Sequence, residues 1–183
     1  MHLTPRLLRR NSHVRLALPA PSAEQVLLAV QAALRAPDHA WLRPSRFLVL
    51  QAEQLEQLAE ALVAATPDCT QQQADKFRSM MRRAPMVLVG IAHLTDHPKV
   101  PEVEQLHTVA LALGYVQLVL DELGFASVWR TGDLAYNPQY RPALGLADNE
   151  KVVGFLYVGT AEGSKKPLPE LHAQDFVRWQ LPG

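Results

Sequence analysis

The sequence lacks the cysteines of a disulfide-rich secreted protein and the basic excess of a nucleic-acid-binding protein. Among its 183 residues there is one cysteine, Cys69, so no intramolecular disulfide can form and a disulfide-stapled secreted fold is excluded. The 18 basic residues equal the 18 acidic residues in number. A protein that binds duplex nucleic acid usually carries a basic excess, so we expect no nucleic-acid partner.

Long apolar runs are also missing. Residues 1–6 lead into a short basic segment that no apolar stretch follows, so the sequence predicts no export signal. The most apolar run, 109–120, is interrupted by Gly114 and Gln117 and is shorter than the roughly 20 residues that a membrane helix needs. We therefore expect a protein that does not enter a membrane and that works in the cytoplasm.

The short motifs of several enzyme classes are absent as well. The sequence has no G-x-x-x-x-G-K-[ST], G-x-G-x-x-G, H-E-x-x-H, G-x-S-x-G or C-x-x-C, which argues against P-loop, Rossmann-type, zincin, serine-hydrolase and dithiol chemistry. His93, Asp96 and His97 lie where a predicted strand runs into a proline-containing turn. This position favours solvated turn residues over metal ligands, so we predict no metal site.

Apolar residues make up 48% of the chain, which is typical of a folded globule, and the length suits one domain. We predict a single domain over residues 1–183, with an extended tail from about 161 that crosses a dimer. Predicted helices cover about 5–10, 22–36, 54–65, 71–83, 103–123 and 138–144, and predicted strands cover 46–51, 86–92, 125–130 and 151–160. Because helices and strands are interspersed without strict alternation, the pattern indicates an α+β fold with helices packed on a sheet.

The predicted helix over 103–123 is apolar around most of its circumference. Such a helix must be covered on more than one face, and at 1.5 Å per residue it spans about 30 Å. We predict that it is both the central core helix and the seam of a dimer.

Three separated segments combine cations, hydroxyls and glycine at the ends of predicted elements. They are Arg10-Asn11-Ser12, the stretch 35–39 (RAPDH) and Arg130-Thr131-Gly132. Guanidinium groups, hydroxyls and free backbone N–H groups are what a phosphate-bearing ligand needs. Each segment alone has a simpler interpretation, because an arginine at the C-terminal end of a helix also interacts favourably with the helix dipole. Together they favour a site for an anionic cofactor.

These segments, in this order and spacing, resemble the small single-domain branch of the FMN-dependent NAD(P)H nitroreductases from about residue 6 to 160. Further residues that carry the resemblance are Arg15, Pro44, Arg46-Phe47, 99–102 (KVPE), Glu104-Gln105, Gly124-Phe125, Trp129 and 153–160 (VGFLYVGT).

The resemblance implies an α+β homodimer with a mixed or antiparallel sheet and one FMN at each of two sites in the subunit interface. By resemblance, the residues that contact FMN are Arg10, Asn11, Ser12, Arg35, His39, Arg130, Thr131 and Gly132. Arg35 and His39 are candidates to reach the cofactor from the opposite subunit. The stretch linked to NAD(P) is Leu120, Asp121, Glu122, Leu123, Gly124 and Phe125. The family usually has arginine where Asn11 stands, so one formal charge is missing here.

The implied reaction is transfer of electrons from NAD(P)H, through flavin N5, to a small acceptor such as a nitroaromatic or a quinone. The flavin carries the difficult step, so no catalytic side chain is needed. Three alternatives remain at this point. The protein could bind flavin without nicotinamide turnover, use a different acceptor such as an activated alkene or a dehydrogenation substrate, or be an α+β domain whose arginines and histidines only cap helices.

Overall fold

The computed structural model describes residues 3–163 and 167–180. The helices are α1 (Leu3–Arg9), α2 (Ala23–Ala33), α3 (Glu53–Ala64), α4 (Gln71–Met81), α5 (Glu102–Glu122) and α6 (Asp133–Tyr136). The strands are β1 (Leu16–Ala17), β2 (Ser45–Gln51), β3 (Met86–His93), β4 (Ala126–Arg130) and β5 (Glu150–Ala161). Short 3-10 turns cover His39–Trp41, Pro138–Tyr140, Pro142–Leu144 and Ala173–Phe176.

Within the described residues the five strands form one antiparallel sheet. Its order is β1-β5-β3-β2, and β4 also pairs with β5, with Ala126 opposite Gly159 and Arg130 opposite Phe155. All four pairings are antiparallel. The α+β prediction is therefore confirmed, and the sheet is antiparallel.

Both faces of the sheet are covered, which explains why β3 is apolar throughout. Side chains alternate between the two faces of a strand. Val87 and Val89 join a core cluster with α3 and α4, whereas Met86 and Leu88 join a second cluster with α2 and α5. Because neither face meets water, β3 shows no polar alternation.

Helix α5 is the central core helix, as predicted. It packs on the sheet and on α2, and its buried polar side chains are bonded: Gln117 Nε2 donates to Ser127 Oγ over 2.9 Å. Val103 and Leu111 of α5 remain exposed. In the described part of the chain, α5 alone is long and apolar enough to span a membrane, with a mean hydropathy of 1.3. Its contacts with α2 and the sheet are those of a core helix.

The helix boundaries agree with prediction where capping residues define them. Ser22 accepts from the N–H of Gln25 and the Gln25 side chain accepts from the N–H of Ser22, so the predicted capping box begins α2. Helix α1 covers Leu3–Arg9, whereas the sequence predicted that this helix begins at about residue 5, so Thr4 lies inside the helix.

The predicted helix over 138–144 is wrong. Pro138 and Pro142 each begin a separate 3-10 turn, because a proline lacks the N–H that continuing a helix requires. The four-residue α6 and the two-residue β1 are too short to leave a periodic signal, and the sequence did not predict them.

The C-terminal tail is only partly described. β5 continues to Ala161, one residue beyond its predicted end. Residues 167–180 are exposed throughout and contain only the short 3-10 turn from Ala173 to Phe176. Residues 164–166 and 181–183, which the tail prediction also covers, lie outside the described residues.

Candidate functional site

The N-terminal group, Arg10-Asn11-Ser12, lies at the beginning of β4. The next backbone N–H, that of His13, donates to the C=O of Ser127 over 3.0 Å. Helix α1 is held on the C-terminal end of α5, because Arg6 Nη1 donates to the Asp121 C=O over 3.0 Å. Asn11 Oδ1 accepts from the N–H of Ser12 over 2.8 Å, which shapes the turn between them.

The strand-end group, Arg130-Thr131-Gly132, lies at the other end of the same strand, about 10 Å from Ser127. Arg130 is the last residue of β4, and Gly132 adopts φ +82°, a left-handed conformation that glycine enters at no steric cost. A side-chain carbon placed on Gly132 would meet nothing within 4 Å, so the backbone is open to a ligand there.

The position of β4 depends on the contact between Trp129 and Gly154. The indole of Trp129 occupies the space that a Cβ on Gly154 would fill. Glycine is therefore required at this position of β5, and the packed indole fixes the strand immediately before Arg130.

A cavity of about 290 Å³ opens beside the strand-end group. It is lined by that group and by Arg83 and Tyr157, and we call it the Arg83–Arg130 cavity. The Nε of Arg130 is buried and has no hydrogen-bond partner. Burial raises the pKa of the Tyr157 phenol, and the charges of Arg83 and Arg130 oppose that rise.

The α2-end group, Arg35 and His39, lies against the N-terminal half of α5. The Pro37 C=O accepts from Thr108 Oγ1 over 3.0 Å, and His39 Nδ1 lies 4.0 Å from Glu104 Oε2. The positions after His39 include three non-glycine residues at positive φ, at 40, 41 and 43. Such conformations cost roughly 1–2 kcal/mol each, and backbone strain of this kind is concentrated at ligand sites and interfaces.

One protomer places two of the three groups near opposite ends of one strand, β4, and keeps the third apart. The N-terminal group lies near Asp121 of α5, whereas the α2-end group lies near Thr108. These positions are separated by about 13 residues of helix, or about 20 Å. A single phosphate cannot contact both groups of one chain.

The arginines in these groups do not cap their own helices. Arg9 does so, since its Nε donates to the Pro5 C=O over 3.0 Å. Across residues 3–163 and 167–180, the guanidinium groups of Arg10 and Arg35 make no hydrogen bond or ion pair. The alternative in which these arginines serve only as helix caps therefore has no supporting contact.

The stretch that the resemblance links to NAD(P) is partly accessible. Leu120 is fully buried, so its side chain cannot reach a ligand. Asp121 pairs with Arg6 over 3.4 Å. Asp121, Gly124 and Phe125 line a hollow of about 340 Å³ together with Asn11. Glu122 and Gly124 are exposed, so the accessible part of the stretch borders the N-terminal group.

The sequence did not predict Arg83 or Tyr157 as site residues. Tyr157 lies inside a strand predicted from its apolar pattern, and Arg83 follows Arg82 at the end of a helix. Adjacent arginines with no nearby acidic residue are a weak signal, and they became informative only once folding placed Arg83 beside Arg130. In the described residues, no three His, Cys, Asp or Glu side chains are grouped as a metal ion would need.

Comparison with known proteins then identifies the fold and the lineage. The family model described as the Nitroreductase family matches residues 8–160. The chain belongs to the nitroreductase family. Among its curated relatives is YdjA of Escherichia coli (strain K12), named provisionally as an NAD(P)H nitroreductase. It is 36% identical over 160 residues, which cover 85% of this chain and 86% of YdjA.

Solved structures of nitroreductases share this fold. The nitroreductase-like family protein from Bacillus cereus has a TM-score of 0.84 at 19% identity, with 97% of this chain and 95% of that chain covered. The FMN- and NADPH-dependent nitroreductase NfnB from Sphigopyxis sp. strain HMH has a TM-score of 0.78 at 19% identity, with 98% and 99% covered. The predicted resemblance and fold class are thus confirmed.

Proposed function

We propose that this nitroreductase-family protein is an FMN-dependent oxidoreductase that transfers electrons from NAD(P)H to a small acceptor such as a nitroaromatic or a quinone. The observation that carries the proposal is that the arginines at the element ends, Arg10, Arg35 and Arg130, are not paired with carboxylates of the described chain. Two comparisons support it: the provisional name of YdjA includes NAD(P)H, and NfnB is named as FMN- and NADPH-dependent.

The residues present fit an FMN. In the N-terminal group, Arg10 supplies a guanidinium and Ser12 a hydroxyl, which suits the phosphate, and Asn11 adds an amide where the family usually has a second arginine. In the strand-end group, Thr131 and Gly132 offer accessible backbone for the planar ring, and Arg130 has a buried Nε with no partner. Buried polar groups are rarely left without a hydrogen bond. A ligand at this end of β4 would therefore supply the acceptor that the protein does not give to Arg130 Nε.

We further propose that each FMN lies between two protomers. The α2-end group is about 20 Å along α5 from the N-terminal group of its own chain, so Arg35 and His39 would reach the cofactor held by the partner's β4. The strained loop after His39 presents Trp41 with 79% of its surface exposed. A second protomer would cover this side chain and would stabilise the loop.

Exposed apolar side chains support the same homodimer. They occur on α1, on α2 and in the tail: Leu3, Leu7, Leu8, Leu27, Leu28, Phe176 and Trp179. Trp179 is 91% exposed and Phe176 is 73% exposed. Apolar side chains exposed on this scale are typical of an association surface, and we propose that the tail packs on the partner protomer.

The chemistry that FMN would supply at this site is transfer of two electrons and a proton, as hydride, from NAD(P)H toward the acceptor. For a nitro compound the balance is NAD(P)H + H⁺ + R–NO₂ → NAD(P)⁺ + R–NO + H₂O. The protein contributes binding and orientation. Arg10 and Ser12 hold the phosphate, the 131–132 backbone orients the ring, and arginine side chains favour the negative charge that develops on reduction.

The remaining parts of the proposal concern the nicotinamide and the cell. The accessible residues Asp121, Glu122, Leu123, Gly124 and Phe125 would border the nicotinamide nucleotide, with Leu120 shaping the core beneath them. The whole chain, residues 1–183, would act as one domain in the cytoplasm.

The test begins with the colour of the purified protein. We expect a yellow protein whose flavin, released on denaturation, is FMN. Anaerobic addition of NADH or NADPH should bleach the flavin, and a nitroaromatic or quinone should restore the absorbance. Bound FMN that neither nucleotide reduces would favour the flavin-binding alternative. Reduced flavin that oxidises only with activated alkenes would favour the other enzyme alternative, and a protein that binds no FMN would contradict the proposal.

The homodimer needs a separate measurement. Multi-angle light scattering of the holoprotein at micromolar concentration should give twice the 20.3 kDa mass of one chain. A stable holo monomer would remove the cross-subunit site.

A further inference from the structure

Two cationic side chains face one small cavity without an acidic side chain between them. Arg83 follows α4, and Arg130 ends β4. The Arg83–Arg130 cavity lies on the α3–α4 side of the sheet, because Phe155 and Tyr157 of its wall belong to that core cluster. The rest of the lining is neutral, and Asp133, although it follows Gly132 directly, is not part of it.

The chain itself does not neutralise these charges. In the part of the chain that the structure describes, neither Arg83 nor Arg130 makes an ion pair or a side-chain hydrogen bond. Both line the cavity together with Tyr157, and their charges lower the pKa of the Tyr157 phenol, which burial raises. Arg83 is exposed and Arg130 is half-buried, so the two like charges repel each other and water screens that repulsion in part.

Other partly buried arginines show how the chain satisfies such a group. Arg6 and Arg141 also have a buried Nε without a partner. Yet Arg6 pairs with Asp121 over 3.4 Å, and Arg141 pairs with Asp148 over 3.6 Å and donates to the Ala147 C=O. Arg130 differs from both because no carboxylate or carbonyl of the described chain meets its guanidinium.

We propose that the Arg83–Arg130 cavity is an oxyanion site that binds the carboxylate or phosphate group of an acidic small molecule. Guanidinium groups match either anion through paired, charge-assisted hydrogen bonds. Thr131 and Tyr157 belong to the same lining, and each carries a hydroxyl that can act as a neutral donor. The cavity, at about 290 Å³, has room for one such group and a short stem.

The site also bears on the choice of substrate, and this step depends on the proposed function. Thr131 and Gly132 line the Arg83–Arg130 cavity and are the residues that we place along the flavin ring. An acidic group bound by Arg83 and Arg130 therefore lies beside the flavin. It follows that electron acceptors with a carboxylate or phosphate should be preferred over neutral acceptors of the same shape.

The experiment uses 4-nitrobenzoate as the probe and 4-nitrobenzamide as its neutral counterpart. Both are titrated calorimetrically into the oxidised holoprotein without NAD(P)H, so the readout does not depend on turnover. We expect 4-nitrobenzoate to bind at least tenfold more tightly. Arg83→Gln should remove most of that preference, and Arg83→Lys should retain part of it because the charge remains.

Arg82→Gln is the matched control. It removes the same charge from the neighbouring position, but the Arg82 side chain lines a different hollow, on the β1 side of α4. We expect Arg82→Gln to leave the preference for 4-nitrobenzoate unchanged. If Arg82→Gln and Arg83→Gln lower it equally, the attraction comes from general surface charge and the site is disproved.

A second arm separates the acidic molecule from the cofactor's own phosphate. Apo protein with and without Arg83→Gln is titrated with FMN and with riboflavin. Unchanged FMN affinity in the variant supports the proposal. If the variant loses affinity for FMN but not for riboflavin, the cavity holds the cofactor phosphate and the inference is overturned. It is also overturned if 4-nitrobenzoate binds no better than the amide to a holoprotein that NAD(P)H reduces normally, a result that leaves the proposed function intact.

Discussion

The arginine on the α3–α4 surface has carboxylate partners, whereas the two arginines of the Arg83–Arg130 cavity have none among the described residues. On the surface, Arg78 forms a two-pronged pair with Glu60, at 2.7 and 3.0 Å, and Asp75 lies 3.5 Å away. Five residues later along the chain, Arg83 has no carboxylate partner among the described residues. The last turn of α4 therefore contains a paired arginine, Arg78, and an unpaired arginine, Arg83, follows the end of the same helix. The difference separates arginines that stabilise the fold from arginines that are available to a ligand.

The largest effect is expected where the strand that carries Arg130 is displaced. In Gly154→Val, the new side chain would overlap the Trp129 indole, and overpacking of this kind costs typically 1–3 kcal/mol. We expect a loss near the upper end of that range in urea unfolding, together with loss of bound FMN. The double variant Gly154→Val/Trp129→Ala restores the space. If the free energy of unfolding of the double variant falls by the full sum of the losses in Gly154→Val and in Trp129→Ala, the indole of Trp129 does not press on position 154.

The next effect is on the cofactor. Arg10→Ala should weaken FMN binding by about 1–3 kcal/mol, the scale of a hydrogen bond to a charged group. Because Arg10 has no partner within the described chain, the thermal stability of the apo protein should change little. Flavin fluorescence titration and thermal melts of the apo form measure the two quantities. Unchanged FMN affinity would remove Arg10 from the site.

Arg78→Ala should show the reverse pattern. The paired guanidinium lowers the pKa of the Glu60 carboxyl, and Glu60 raises the pKa of Arg78. Removal of the Arg78 guanidinium should lower the melting temperature slightly at low salt and by less at 1 M NaCl, because salt screens exposed ion pairs. FMN affinity should stay at the wild-type value. A loss of FMN affinity as large as that of Arg10→Ala would end the distinction between the two classes of arginine.

The smallest effect concerns alkaline pH. Burial raises the pKa of Tyr157 in the folded protein, so the neutral phenol favours folding. That contribution is fully present below the unfolded-state pKa of about 10 and is lost as pH rises from there through the folded-state pKa. Tyr157→Phe should therefore flatten the fall in stability above about pH 10.

Arg83→Gln sharpens this comparison. The charge of Arg83 lowers the Tyr157 pKa, so its removal should raise that pKa further. Absorbance titration of the tyrosines, with Tyr157→Phe as the reference, measures the shift. If Tyr157 titrates at an unchanged pH, the charge of Arg83 does not act on the cavity.

Much of the fold was predictable from local chemistry. The Ser22–Gln25 capping box begins α2, and the apolar run of β3 indicated a strand covered on both faces. The stretch 138–144 was misassigned because a helix was inferred across two prolines. β1 could not be found because its two residues pair with the far end of β5, a contact that only the folded chain creates.

The candidate site was predictable as a set of segments but not as an arrangement. Arg10, Arg35 and Arg130 stood out because each ends an element beside a hydroxyl, a glycine or an imidazole. The sequence could not show that Arg10 and Arg130 lie near opposite ends of β4, or that Arg35 lies near the N-terminal half of α5, far from Arg10. The sequence also could not identify Arg83 as a site residue, because that role depends on its proximity to Arg130, 47 positions later in the chain.

The most direct test of the account is subunit complementation. Arg10→Ala and Arg35→Ala each damage a different side of the proposed site. In a heterodimer of the two variants, isolated with two affinity tags, one site contains both substitutions and the other contains neither. The account predicts one FMN per heterodimer at wild-type affinity, whereas both variant homodimers bind weakly. A heterodimer whose two sites are both as weak as those of the homodimers would contradict a cofactor site shared between protomers.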